Sequence, residues 1–275
     1  MSYLTVVLLG LVQGITEFLP ISSSGHLALL QNIFQIEEAD LLLDVLLHLG
    51  TLCSIFMVYR RDIRAIVRGG LGLVGIGADK GPTKKRNIDR RRMAVFLIVG
   101  TLPLLLVLPV RGYVEVLYRH TPFVSLMLMV TGLLLYLADR YGTSYRGLRE
   151  TNALQAFLVG LAQAIAVIPG ISRAGATISV GMLCGFKRSF AVRFSFLLSV
   201  PAVLGAVVVS LAGAAQASVS LAMVPKYLCG MLAAAISGYF SIRLLRYLAA
   251  RSHFGGFAYY CWGAGLISLL LSLIA

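Results

Sequence analysis

Apolar residues in this chain come in blocks rather than alternating with polar ones. Residues 3–12 form a ten-residue apolar run, about 15 Å long as a helix and half the thickness of a bilayer core. Polar residues crowd positions 13–26, and a second short run, Leu27 to Leu30, fades through Gln31 to Phe34. Two half-length helices around a proline-broken polar turn predict a re-entrant hairpin over 3–34. Non-helical backbone at membrane depth is tolerated only inside protein or beside a wet cavity. Longer blocks follow at about 41–59, 93–110 and 123–138, each near the length that crosses a bilayer. The order then recurs: half-helix, Pro169-Gly170 break and half-helix over 153–186, then blocks at about 194–213, 223–245 and 256–275. The expected fold class is an all-α polytopic membrane protein. It would be a single membrane domain over 1–275, with six spanning helices plus two re-entrant helical hairpins.

The two broken segments also match in sequence at an offset of 150. Leu11, Gln13, Ile15, Ile21, Ser22 and Gly25 meet Leu161, Gln163, Ile165, Ile171, Ser172 and Gly175. Each segment is followed by three spans, an odd number, so the second enters from the opposite face. The chain therefore reads as inverted-topology repeats, 1–140 and 151–275, whose tips meet near mid-membrane. Discontinuous helices meeting there are a usual place for a site.

Composition agrees: of 275 residues, 59% are hydrophobic and 13% charged, against about half and a quarter in soluble domains. A net charge of +13 raises the question of nucleic acid, but its distribution answers it. Of 24 Lys and Arg, 11 fall between Arg60 and Arg92, and loops 60–92, 139–152, 187–193 and 243–253 together hold 20. That is the positive-inside pattern, with basic loops facing membrane lipids rather than nucleic acid. Arg111, Arg119 and Lys226 remain outside, and Arg173 within the membrane zone. Gly-rich 69–81 lacks the Gly-Lys-Ser/Thr ending of a phosphate loop and reads as a flexible linker. Cys53, Cys184, Cys229 and Cys261 have no paired spacing and read as small buried hydrophobes. No cleaved signal peptide is expected, since the start lacks a basic n-region.

Chemistry concentrates in the two breaks. Arg173 is costly at membrane depth. It reads either as a structural ion pair with Glu17 or as an anion clamp, guanidinium being suited to phosphate oxygens. Gly170, Ser172 and Thr177 would add backbone and hydroxyl donors at a helix N-terminus, a ready anion site. In the first break Ser22, Ser23 and Ser24 suit N-capping, but three of them with His26 nearby also suit a nucleophile and base. His26 alone is equally a satisfied polar group. Glu17 is open between orienting His26, binding a divalent cation and acting as general acid or base, and Gln13 shares its helix face at i, i+4. Asp44 and His48 are a further i, i+4 pair, read either as an interfacial turn or as part of the site. Oxyanion donors beside a Ser/His/Glu set imply phosphoryl or diphosphate chemistry on a lipid whose tail stays among the spans.

At these breaks the sequence resembles the integral-membrane undecaprenyl-diphosphate phosphatase family of the bacitracin-resistance type. That family carries Glu/Gln-x-x-x-Glu running into Pro-x-Ser-Ser/Thr-x-Gly-His, and Pro-Gly-x-Ser-Arg-Ser-x-x-Thr. Here these stand as Gln13 to Glu17, Pro20 to His26, and Pro169 to Thr177. The resemblance implies hydrolysis of undecaprenyl diphosphate to undecaprenyl phosphate and inorganic phosphate, recycling the carrier lipid of peptidoglycan synthesis and conferring bacitracin resistance. It implies a bacterial plasma (inner) membrane location, a site facing the periplasm, and a divalent cation, Mg²⁺ or Ca²⁺. By motif position Glu17 would be the acidic or metal-linked residue, Ser23 and His26 the nucleophile and its partner, and Arg173 the diphosphate ligand. Which of Ser23 and His26 attacks is left open. Gln13, Ser22, Ser24, Gly170, Ser172 and Thr177 are the expected substrate-binding residues. Two departures stand out: Gln13 where many members have Glu, and Ala174 in place of the Ser after the Arg.

The rival reading is a transporter or flippase for a polyprenyl phosphate, since inverted repeats with broken helices are also a transporter plan. Gly181-x-x-x-Gly185 and the Ala/Gly-rich 202–217 permit close helix contacts, so a homodimer is allowed rather than required.

Overall fold

The structure is a computed structural model, and it describes residues 1–33, 41–73, 84–118, 120–214, 223–251 and 254–274. Arg119 and parts of the segments discussed above (residue 34, 74–81 and 215–217) lie outside the described residues. Among those described there are eleven α-helices and no β-strand, and six helices are long and apolar enough to cross a membrane. The protein is a multi-pass, all-α membrane protein.

The first break separates α1 (Tyr3–Phe18) from α2 (Ser23–Ile33), and the second separates α7 (Ala153–Ile165) from α8 (Arg173–Leu183). Both interruptions are local. Pro20 and Pro169 cannot donate to a helical ladder, and a serine then restarts each helix. Ser22 accepts the Gly25 N–H at 3.2 Å, and Ser172 accepts the Gly175 N–H at 3.0 Å. The two caps sit 150 residues apart, as the sequence offset requires. At its base the second hairpin is closed by Asn152 and Gln155, which form a reciprocal capping box, while Gln155 Nε2 also reaches the Cys184 carbonyl at 3.1 Å.

The long helices differ in extent from the expected blocks. The helix α3 (Leu41–Leu73) continues past its kink at Tyr59, so residues 69–73 are helical rather than linker. Packing overrides the poor helix propensity of glycine there: Gly69 lies so close to the next helix that a Cβ would stand 2.5 Å from the Arg90 carbonyl oxygen. The α-helical part of the second span, α4 (Lys84–Thr101), stops short of 110, and Leu102–Val110 is a 3₁₀ segment. Pro103 and Pro109 remove ladder donors at that point. A short α5 (Arg111–Leu117) follows, and α6 (Thr121–Tyr141), α9 (Arg188–Ala214), α10 (Val224–Arg251) and α11 (Gly255–Ile274) complete the bundle.

The half-helices are held by close backbone approach. α1 packs on α10, and a Cβ at Gly10 would collide with the Gly230 carbonyl. α7 packs on α4, and a Cβ at Gly160, again 150 residues on, would collide with the Gly100 carbonyl. Small residues at both crossings let backbones touch, the usual means of tight packing in a bilayer. α6 and α11 pack against each other, as do α3 and α9.

The basic segments gather at one end of the bundle. Ion pairs join Arg193 to Asp62, Arg149 to Asp89 at 2.8 Å, and Arg188 to Asp139 at 2.9 Å. Arg246 lies over the Tyr59 ring at 5.4 Å. Loops expected on one side of the membrane are thus physically tied together.

Candidate active site

The two breaks touch. The Gly170 N–H donates to Ser24 Oγ at 3.3 Å, and Arg173 Nη2 forms an ion pair with Glu17 Oε1. Gly170 has φ +92°, a left-handed conformation that glycine adopts without steric cost. Ser22 occupies the same region at φ +71° without that freedom, so the first tip carries real backbone strain.

Glu17 is the hub of the contact. Its side chain is 7% exposed, that of Arg173 20%. Besides the guanidinium, the carboxylate accepts the Ser23 hydroxyl at 2.7 Å and Gln13 Nε2 at 3.0 Å, both on Oε2. His48 of α3 is close enough to Glu17 to interact with it electrostatically. Of the two readings of Arg173, the ion pair with Glu17 is the one present, and Arg173 is also the first residue of α8.

Ser23 and His26, one turn apart, do not face each other. His26 Nδ1 lies 2.8 Å from the Ser22 carbonyl, and since a carbonyl only accepts, Nδ1 carries the proton. In the neutral ring Nε2 then accepts from the Tyr260 hydroxyl at 2.7 Å, and the two rings stack 5.7 Å apart. The partner of Ser23 is Glu17, and the partner of His26 is Tyr260.

The remaining expected ligands divide into lining and bracing groups. Ser22 and Ser172 spend their hydroxyls on helix caps, and Ser24 links Ser22, at 3.2 Å, to Gly170. Thr177 turns its hydroxyl to the Arg173 carbonyl at 2.7 Å and to Ser195 of α9 at 2.6 Å, so it braces the first turn of α8. His48 Nδ1 lies 2.8 Å from the Asp44 backbone carbonyl, one helical turn earlier.

Two residues escaped the sequence reading. Thr131 of α6, fully buried, accepts the Ser172 N–H at 2.9 Å and donates to the Gly170 carbonyl at 3.1 Å. It sets the shape of the second tip, and its only trace in sequence was one of a few hydroxyls in an apolar span. Tyr260 had no trace at all, because nothing local links α11 to the first tip. Cys261 beside it is buried and approaches the Pro20 carbonyl, 3.6 Å from Sγ.

Among the described residues no three His, Cys, Asp or Glu side chains cluster to hold a metal ion. The tip does contain an unsatisfied hard donor, the buried Gln13 Oε1, adjoining the Glu17 carboxylate. Two oxygens of this kind fit a divalent ion shared with a phosphate ligand, the usual manner for Mg²⁺.

Known proteins resemble this chain over nearly its whole length. The family model described as Bacitracin resistance protein BacA matches residues 6–267. An undecaprenyl-diphosphatase of Carboxydothermus hydrogenoformans is 37% identical over 98% of both chains. One of Desulforapulum autotrophicum is 39% identical over 98% of both, and one of Syntrophotalea carbinolica 40% identical over 96% of this chain and 97% of its own. A match that spans both breaks and the six spans between and after them leaves one assignment: the chain belongs to the bacitracin resistance protein BacA family.

Proposed function

We propose that the protein hydrolyses undecaprenyl diphosphate to undecaprenyl phosphate and inorganic phosphate at the paired tips. The single observation that carries the mechanism is the Ser23 hydroxyl donating to Glu17 at 2.7 Å. A serine hydrogen-bonded to a carboxylate, itself beside a guanidinium, is an activated nucleophile next to an anion clamp.

In this reading Arg173 leaves Glu17 and takes oxygens of the diphosphate, with the N-termini of α2 and α8 on either side. Ser23 Oγ attacks the terminal phosphorus, Glu17 receives its proton, and the anhydride P–O bond breaks to release undecaprenyl phosphate. Water then attacks the phosphoserine, giving its proton to the departing phosphate, while Glu17 returns the stored proton to Ser23. His26 and Tyr260 hold the first turn of α2 so that Ser23 stays directed at Glu17. Glu17 and Gln13 Oε1 would share a Mg²⁺ or Ca²⁺ with the substrate. Such an ion, when bound, supplies positive charge to the diphosphate oxygens.

The matching glycine crossings and matching serine caps 150 residues apart support two inverted repeats with re-entrant tips. The single basic end supports a cytoplasmic face there, in a bacterial plasma membrane, with the site opening toward the periplasm. The test is phosphate release by the purified protein in detergent with Mg²⁺ or Ca²⁺. Hydrolysis needs no second compartment, whereas lipid transport does. Active-fold protein that releases no phosphate from undecaprenyl diphosphate would overturn this reading.

A further inference from the structure

Beside the second tip lies a groove with a cavity volume of about 1120 Å³, walled by α3 beyond its kink, α4, the 3₁₀ segment and α9. Sites for drug-sized ligands run to roughly 300–1,000 Å³, so this one is large. Its walls are almost wholly carbon: Ile66, Leu97, Leu105, Val200 and Val208 are representative. Thr101, the hydroxyl among them, turns back to the Leu97 carbonyl at 2.6 Å and leaves its methyl group to the space.

A change of helix type and a proline lie beside the groove. α4 gives way to 3₁₀ geometry at Leu102, next to Pro103, and α9 contains Pro201 within its length. The 3₁₀ segment then packs on α7, while α9 packs on α3 and α8. Gly70 of α3 and Leu108 of the 3₁₀ segment are both among the residues that line the space between them.

Val167, three residues before Gly170 of the second tip, lines the groove. Val167 stands 150 residues after Glu17, at the equivalent sequence position, in the turn just past the second half-helix. The first copy puts a carboxylate there and faces the phosphate chemistry. The second puts an isopropyl group there and faces the groove. Head site and apolar trough thus meet across one tip, which also carries Arg173.

We infer that this groove seats the isoprenoid tail of the substrate and sets how long a tail is turned over efficiently. The inference rests on the phosphatase reading of the tips. An ordinary bilayer acyl chain is the competing occupant, but nothing would direct the end of an acyl chain to the tip that bears the anion clamp. A diphosphate with an apolar chain requires that continuity.

Two glycines line the groove with open space where a side chain would grow. At Gly70 and at Gly205 an added Cβ meets nothing within 4 Å. Gly205→Trp and Gly70→Trp therefore start a large side chain from open positions in the groove lining. Gly263 of α11, equally open but outside the groove, supplies the control Gly263→Trp. Phosphate release in detergent is measured for undecaprenyl diphosphate and for farnesyl diphosphate, whose short tail stays near the tip. Each groove variant should lower kcat/KM for the undecaprenyl substrate at least about tenfold, as expected for several displaced methylenes. Farnesyl turnover should stay within about twofold, and the control should change neither. Both substrates unchanged in the groove variants, or both reduced alike, overturns the inference. Wild-type protein inactive on undecaprenyl diphosphate sinks the phosphatase reading instead, and wild-type protein active on it but not on farnesyl diphosphate overturns the inference, since a short tail at the tip should suffice.

Discussion

The Glu17–Arg173 pair ties two hairpins that are far apart in sequence, and its strength can be predicted. Arg173→Ala would leave a carboxylate that is 7% exposed without its counter-ion. Breaking a buried pair in this way costs about 3–5 kcal/mol. Ser23 and Gln13 would still donate, at 2.7 and 3.0 Å, which moves the cost toward the lower end, about 3 kcal/mol. Glu17→Gln strands the Arg instead, but its side chain is 20% exposed and can reach water, so about 1.5 kcal/mol is expected. Removing both charges, as Glu17→Gln with Arg173→Ala, should cost about 2 kcal/mol, because an uncharged pair leaves no orphan. The singles thus sum to more than the double, with a coupling of about 2.5 kcal/mol. Unfolding titrations of the four proteins in mixed micelles measure it. Additivity within about 0.5 kcal/mol would show that the two tips are not held by this contact. All three variants should remain extractable, and none should turn over substrate.

Ser23→Ala should abolish phosphate release and any phosphoprotein trapped by rapid acid quench. A phosphoprotein that persists in that variant moves the attack to His26. Tyr260→Phe removes one hydrogen bond to His26 while keeping the stacked ring, a loss of about 1 kcal/mol. Turnover should fall roughly fivefold with KM little changed, and a complete loss of activity would mean that Tyr260 does more than hold the imidazole.

The parts of the fold that could be read from sequence share a cause: they were written in block length and local chemistry. Proline followed by serine marked both breaks, and an apolar block of about twenty residues marked each span. Glu17 and Arg173 stood out because a charge at that depth needs a reason. What could not be read depends on partners far along the chain. The Ser23–His26 spacing suggested a pair, yet Ser22 turns the chain through a positive φ and directs Ser23 to Glu17, while His26 turns to a tyrosine 234 residues away. Gly-rich 69–73 looked like a linker because glycine is a poor helix former, and only the contact with Arg90 explains its helix. The 3₁₀ segment was foreshadowed by Pro103 and Pro109, which an apolar average conceals.

Arg173 already grips an anion when no substrate is present, namely the carboxylate of Glu17. In the proposed function, an incoming phosphate would therefore have to displace an intramolecular rival before it binds. Free inorganic phosphate enters that contest at its bulk concentration and gains nothing from the membrane. A diphosphate fixed to a bilayer-dissolved chain arrives at a much higher effective concentration. The pairing thus acts as a threshold, discriminating between anions by how they are delivered rather than by shape. Product phosphate, once cut from its chain, falls back below that threshold, and Glu17 recovering its partner would help expel it.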